Sequence, residues 1–234
     1  VSYLKKTKEY EGRWDSFDEE RLHRGEVEKL LKKSVFQDYT KLYHFCNPKQ
    51  RRFMALYFKR YEIFFIKECI RYIFDHRRLE GKTSMYTDLS VYAEFFHRHS
   101  KLDIERMVAC STIDELIQVM EPSEYFAPIS RVAGREKALA FDYGMVLDLY
   151  YFGQIWKVKD QLFKGVDLEN ITKAYGRKFD VINLQWIQRA KQYYNMDPTR
   201  IFSLLIPVEY KLKQEDFRAL ANAANMDEFY SILD

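Results

Sequence analysis

DLENITKAYGRKFDVINLQWIQRAKQY, residues 167–193, sets the fold class of this chain. Its apolar positions Ile171, Ala174, Tyr175, Phe179, Ile182, Trp186, Ala190 and Tyr193 advance by 3, 1, 4, 3, 4, 4 and 3 residues. Steps of three and four keep side chains on one side of a helix, whereas a strand would need steps of two. Asp167 is placed to cap this helix through its carboxylate. The rhythm recurs between Pro48 and Phe74. There Phe53, Leu56, Tyr57, Tyr61 and Phe64 form one stripe, and Ile63, Ile66, Ile70 and Ile73 a second. Two stripes on one helix imply neighbours on more than one side.

Working outward, further helices are predicted over 22–33, 88–97, 103–108, 113–119, 135–156, 214–221 and 227–233. A loop is predicted over 76–87. Asp197-Pro198 supplies a cap and a first-turn proline for one more short helix, which closes before Pro207. Eight glycines and five prolines in 234 residues leave little material for the turns of a many-stranded sheet. The expected fold class is all-α.

The two long helices share a pattern at an offset of 118 residues. Arg60-Tyr61-Glu62-Ile63 matches Lys178-Phe179-Asp180-Val181 in basic, aromatic, acidic and β-branched order, and Ile66, Lys67, Cys69 and Arg71 face Leu184, Gln185, Ile187 and Arg189. Phe65/Asn183, Glu68/Trp186 and Ile70/Gln188 do not match. Downstream, Lys101-Leu102 with Glu105 resembles Lys211-Leu212 with Glu215, and Ile113-Asp114-Glu115-Leu116 resembles Met226-Asp227-Glu228-Phe229, at offsets of 110 and 113. Two matches in the same order point to a duplicated helical unit.

Composition narrows the function. Thirty-eight basic against 35 acidic side chains leave a formal charge of +3, without the concentrated basic stripe of a nucleic-acid binder. Lys5-Lys6 with Lys8, Arg51-Arg52 and Arg77-Arg78 have acidic neighbours nearby and read as solvated surface. Cys46, Cys69 and Cys110 lack paired spacing, so neither a disulfide framework nor a zinc site is expected, and a reducing compartment fits. No apolar run nears the roughly 20 residues of a membrane span, and no leader is visible. Opening on Val1 suggests a piece of something longer.

Catalytic patterns are missing too. There is no glycine-rich nucleotide loop, no His-Glu-x-x-His and no nucleophile elbow, so no cofactor and no small-molecule substrate are expected. His97 and His99 stand about 200° apart on a helix and cannot share a metal, and His44 with Cys46 lacks an orienting partner. Asn170-Ile171-Thr172 is a formal glycosylation sequon, expected to be idle on a buried stripe. The recurring charges invite an ion-pair reading, which helical phase rejects. Glu62 and Arg71, like Asp180 and Arg189, are nine residues apart, which is about 900° of rotation and about 13 Å of rise, half a turn out of phase. Asn183 lies one turn from Asp180 and shares its face. Glu62, Arg71, Asp180, Asn183 and Arg189 are therefore expected to make structural contacts with other helices or with partner subunits.

Phe179-Asp180-x-x-Asn183, Arg189-x-Lys191, Leu204-Leu205-Ile206-Pro207, Tyr210-x-Leu212 and Asp227-Glu228-Phe229, in that order, resemble the component lettered C in bacterial and archaeal V/A-type ATPases, whose eukaryotic relative is the one lettered d in the membrane sector. Leu22-His23-Arg24-Gly25 and Phe53-x-x-x-Tyr57-Phe58-x-Arg60-Tyr61-Glu62 are similar to the earlier part of bacterial members. The resemblance spans almost the whole chain, with Phe65 departing from the motif. It implies a non-catalytic, funnel-shaped subunit of three similar helical units. Such a subunit lies peripherally on the cytoplasmic face, receives the central stalk, sits on the c-type rotor ring, and touches the membrane only through that ring. On this view residues 1–33 end a truncated first unit, 34–120 form a second, and 121–234 carry the second copy of the repeat, with the C-terminal unit of the full-length protein absent. A helical-repeat scaffold for soluble partners is the competing reading.

Overall fold

A computed structural model describes residues 3, 6–7, 24–75, 96, 100–135 and 138–233. Among them all regular structure is helical, and they fall into two compact units divided between Ala140 and Phe141.

In the first unit, α1 (Arg24–Phe45) and α2 (Pro48–Phe74) form a hairpin, followed by α3 (Ile104–Ala109), α4 (Ile113–Val119) and α5 (Phe126–Ala133). The predicted 22–33 helix is too short. Leu30, Ser34, Phe36 and Tyr39 carry a buried face past the expected end, and α1 stops at Phe45. Asn47 then caps α2, its side chain accepting from the Gln50 N–H while Gln50 reaches back to the Asn47 N–H, both at 3.0 Å. Aromatic rings close the hairpin, with Phe36 edge-on to Tyr61 and Tyr39 tilted against Phe58. Of the two stripes on α2, the isoleucine stripe holds at Ile63, Ile66 and Ile70, whereas Phe64 is exposed. The predicted loop over 76–87 lies outside the described residues, as does the 88–97 helix except for Phe96, which is helical and buried.

Asp103 and Thr112 cap α3 and α4, each accepting from a backbone N–H three residues on. The expected 135–156 helix is displaced. Gly134 ends α5, a helix not predicted, and the long helix begins only at Ala140.

In the second unit, α6 (Ala140–Leu162) precedes α7 (Gly165–Tyr194), α8 (Pro198–Ser203), α9 (Gln214–Asn222) and α10 (Met226–Leu233). Lys164, not Asp167, holds the cap position of α7, leaving Asp167 in the first turn, where its charge suits the positive helix end. Asn195 ends α7 in the left-handed region at φ 42°, where its short side chain is tolerated, and Asp197 caps α8 as expected. The buried face of α7 is rotated from the predicted stripe. It contains Tyr175, Gly176, Phe179, Asp180, Asn183, Ile187 and Ala190, while Ala174 and Tyr193 are exposed. Asn170 is exposed rather than buried. Phe152 and Trp156 of α6 pack on Phe179, and Ile187 and Ala190 join Ile201, Leu205, Phe217, Leu220 and Phe229 in one core with α8, α9 and α10.

Candidate functional site

The polar residues singled out from the sequence divide by burial. Glu62, Asp180 and Asn183 are buried, while Arg71 and Arg189 are exposed. Neither acid meets the arginine that follows it. Arg71 pairs with Glu68 three residues earlier on its own helix, and Arg189 has no hydrogen-bond or ion-pair partner among the described residues.

Glu62 lies near the middle of α2, where the tyrosine stripe and the isoleucine stripe turn it inward. The phenol of Tyr125 donates to Oε2, and the Ser100 hydroxyl also bonds the carboxylate. Burial raises the Glu62 pKa above the usual carboxylate range, opposed by these two hydrogen bonds; Glu124 adds to the rise and Lys59 counters it. Lys59 and Glu124 are themselves ion-paired, so α2 is tied twice to the segment that opens α5.

Asp180 and Asn183 occupy one face of α7, one turn apart. Asp180 Oδ2 accepts the Lys211 backbone N–H at 2.9 Å. Asn183 Nδ2 donates to the Ile206 carbonyl at 3.0 Å, and the Ile206 N–H donates to Asn183 Oδ1 at 2.8 Å. One amide side chain thus satisfies both backbone groups of a buried residue that belongs to no helix. Between these contacts Gly176 meets the ring of Tyr210, and a Cβ there would fall 2.3 Å from Tyr210 Cγ. Lys191 completes the set by donating through Nζ to the carbonyls of Ala221 and Ala223 at the end of α9, a cation on a negative helix terminus.

The mismatches in sequence now have physical content. Phe65, 118 positions before Asn183, is fully buried and packs edge-on against Phe96 with ring centres 5.6 Å apart. Phe96 stands 110 positions before Ile206. Phe65 thus sits in an aromatic pair, whereas Asn183 grips backbone through its amide. Phe58 and Ser100 stand at the same offsets before Gly176 and Tyr210, so large and small residues trade places.

Sequence reasoning missed Tyr125, Ser100, Tyr210 and the backbone of Ile206 and Lys211. Only Gly176 carried a signal, since glycine inside a strongly patterned helix costs about 1 kcal/mol relative to alanine and asks for a packing reason. Chemically, these groups hold segments in place. Among the described residues no cluster of His, Cys, Asp and Glu could hold a metal; two hydroxyls bond Glu62, and the Lys211 amide bonds Asp180 through Oδ2 while the buried Oδ1 has no hydrogen-bond partner.

An all-helical chain whose buried Glu62, Asp180 and Asn183 tie its own segments together fits the class of structural subunits. Across residues 1–234 the sequence matches the family described as ATP synthase (C/AC39) subunit, and the chain belongs to that family. Its members are non-catalytic structural components of V/A-type rotary ATPases, known by the letters C or d. A comparison with curated proteins finds no match.

Proposed function

We propose that this chain is the coupling element of the central stalk, joining the c-type rotor ring to the shaft on the cytoplasmic face during ATP-driven ion transport or ion-driven ATP synthesis. The match to the C/AC39 family along all 234 residues carries this reading. Among the described residues no helix is long and apolar enough to cross a membrane, which agrees with a peripheral position. We further read the two long helices and their followers as copies of one unit. Glu62 and Asp180 support this, since each bonds the segment that leads into the next short helix, through Ser100 and Lys211 respectively.

In this reading Glu62, Asp180 and Asn183 set internal packing, and the exposed Arg71 and Arg189 meet partner subunits. The test is reconstitution of the full chain with central-stalk subunits and detergent-solubilised c-ring, followed by co-purification. Recovery with both is the expected result. Binding to neither would overturn the proposal and leave a scaffold for soluble partners.

A further inference from the structure

The turn between α1 and α2 is a rigid, basic tip with an apolar point. Phe45, the last residue of α1, is 89 % exposed, and Leu42, three residues earlier on the same side, is 59 % exposed. Lys41, His44, Lys49, Arg51 and Arg52 surround them, all exposed. The tip is preorganised by the Asn47–Gln50 capping box and by Arg51, which donates to the carbonyls of Tyr43 and His44 at 3.2 and 3.1 Å.

Charge here is one-sided. Residues 39–61 hold six Lys or Arg and no Asp or Glu, whereas the corresponding stretch of the second unit, 157–179, holds six Lys or Arg and three acids. Among the described residues, the acidic neighbours expected to neutralise Arg51-Arg52 pair with neither arginine. Asp38 stands beside Lys41 at 3.9 Å, and Glu62 is buried.

From this we infer that the α1–α2 tip docks onto anionic phospholipid, with Phe45 and Leu42 entering the headgroup boundary and Lys49, Arg52 and Lys41 on the phosphates. Cations also suit an acidic protein, but a stable protein interface needs about 800 Å² from each partner, more than a convex turn with two apolar side chains offers. A lipid surface accepts a point of contact. It rewards an apolar residue ringed by cations, each cation strengthening binding about five-fold near an anionic leaflet. The inference is independent of the coupling role and adds a direct lipid contact to a protein expected to reach the membrane only through the ring.

The test is co-sedimentation of the full chain with phosphatidylcholine vesicles with and without phosphatidylglycerol, across a salt series. Expected is binding only to the anionic vesicles, falling as salt screens the charges. Lys49→Gln with Arg52→Gln should weaken it about 30-fold, and Phe45→Ser by more than about ten-fold, with unchanged melting temperatures because all three side chains are exposed. Equal binding to neutral vesicles, or anionic binding untouched by these substitutions, would overturn the inference. So would absence of vesicle binding with loss of a partner protein from the variants, which would assign the tip to an acidic protein. Coupling is read separately from co-purification with stalk and ring, so either result can fail alone.

Discussion

Asn183→Ala is the most discriminating perturbation of the second unit. Asn183 is fully buried, and Ile206, whose N–H and carbonyl it satisfies, is 2 % exposed. Deleting the amide leaves the buried Ile206 N–H without a partner, while the Ile206 carbonyl keeps the Val208 N–H at 2.8 Å, so the expected loss is about 1–3 kcal/mol. For a unit spanning residues 141–234, about 1 kcal/mol shifts the melting temperature by roughly 4–8 °C, so a fall of about 4 °C or more is expected. Tryptophan fluorescence during thermal or urea unfolding reads this unit through Trp156 and Trp186, and amide exchange at Ile206 reads the bond itself. Asn183→Leu separates hydrogen bonding from volume, because it fills the space and still orphans Ile206. A leucine variant as stable as the parent, with Ile206 still protected, would refute the reasoning.

Other outcomes follow from the same geometry. Gly176→Ala should destabilise by about 1–3 kcal/mol through the clash with Tyr210, and pairing it with Tyr210→Ala should recover part of that loss in a double-mutant cycle; a stabilising Gly176→Ala would show that the ring yields freely. Because the folded-state pKa of Glu62 is raised, its contribution is complete below the ordinary carboxylate pKa and is lost as pH rises through the folded value. Unfolding titrations should show Glu62→Gln, which can still accept from Tyr125, removing that decline. Arg189→Ala should leave unfolding unchanged within about 0.5 kcal/mol while reducing recovery with stalk subunits; full recovery would argue against a partner contact. Lys191→Met should cost about 1–3 kcal/mol by stripping a charged donor from two carbonyls, measured by urea unfolding.

The fold was legible where periodicity was strong and punctuation clear. Pro48 and Asp197-Pro198 marked helix starts that the structure keeps. Boundaries failed where the signal lay elsewhere. A solvated α1 continues past Lys33 because its apolar residues keep helical spacing at lower density, and Gly134 breaks what looked like one long helix. The tilt of the α7 stripe was misjudged because only apolar positions were counted in it, leaving out Asp180 and Asn183, whose burial depends on partners far along the chain. No local pattern announces that Asn183 will meet the backbone of Ile206, 23 positions away. Phase arithmetic did keep the acids and arginines apart, since it needs only helix geometry.

The positions of the two buried acids have a mechanical consequence. Glu62 and Asp180 each fall beside the midpoint of a long helix, α2 of 27 residues and α7 of 30, the latter about 45 Å long at 1.5 Å per residue. A slender rod held only at its ends bows at the centre under compression, and a side support there halves its free span and raises the load at which it buckles. Tyr125 and Lys211 supply that support at the point of greatest bending. Under the coupling role proposed above, these struts would set the stiffness of the helices, and their removal would soften the subunit before it unfolded the protein.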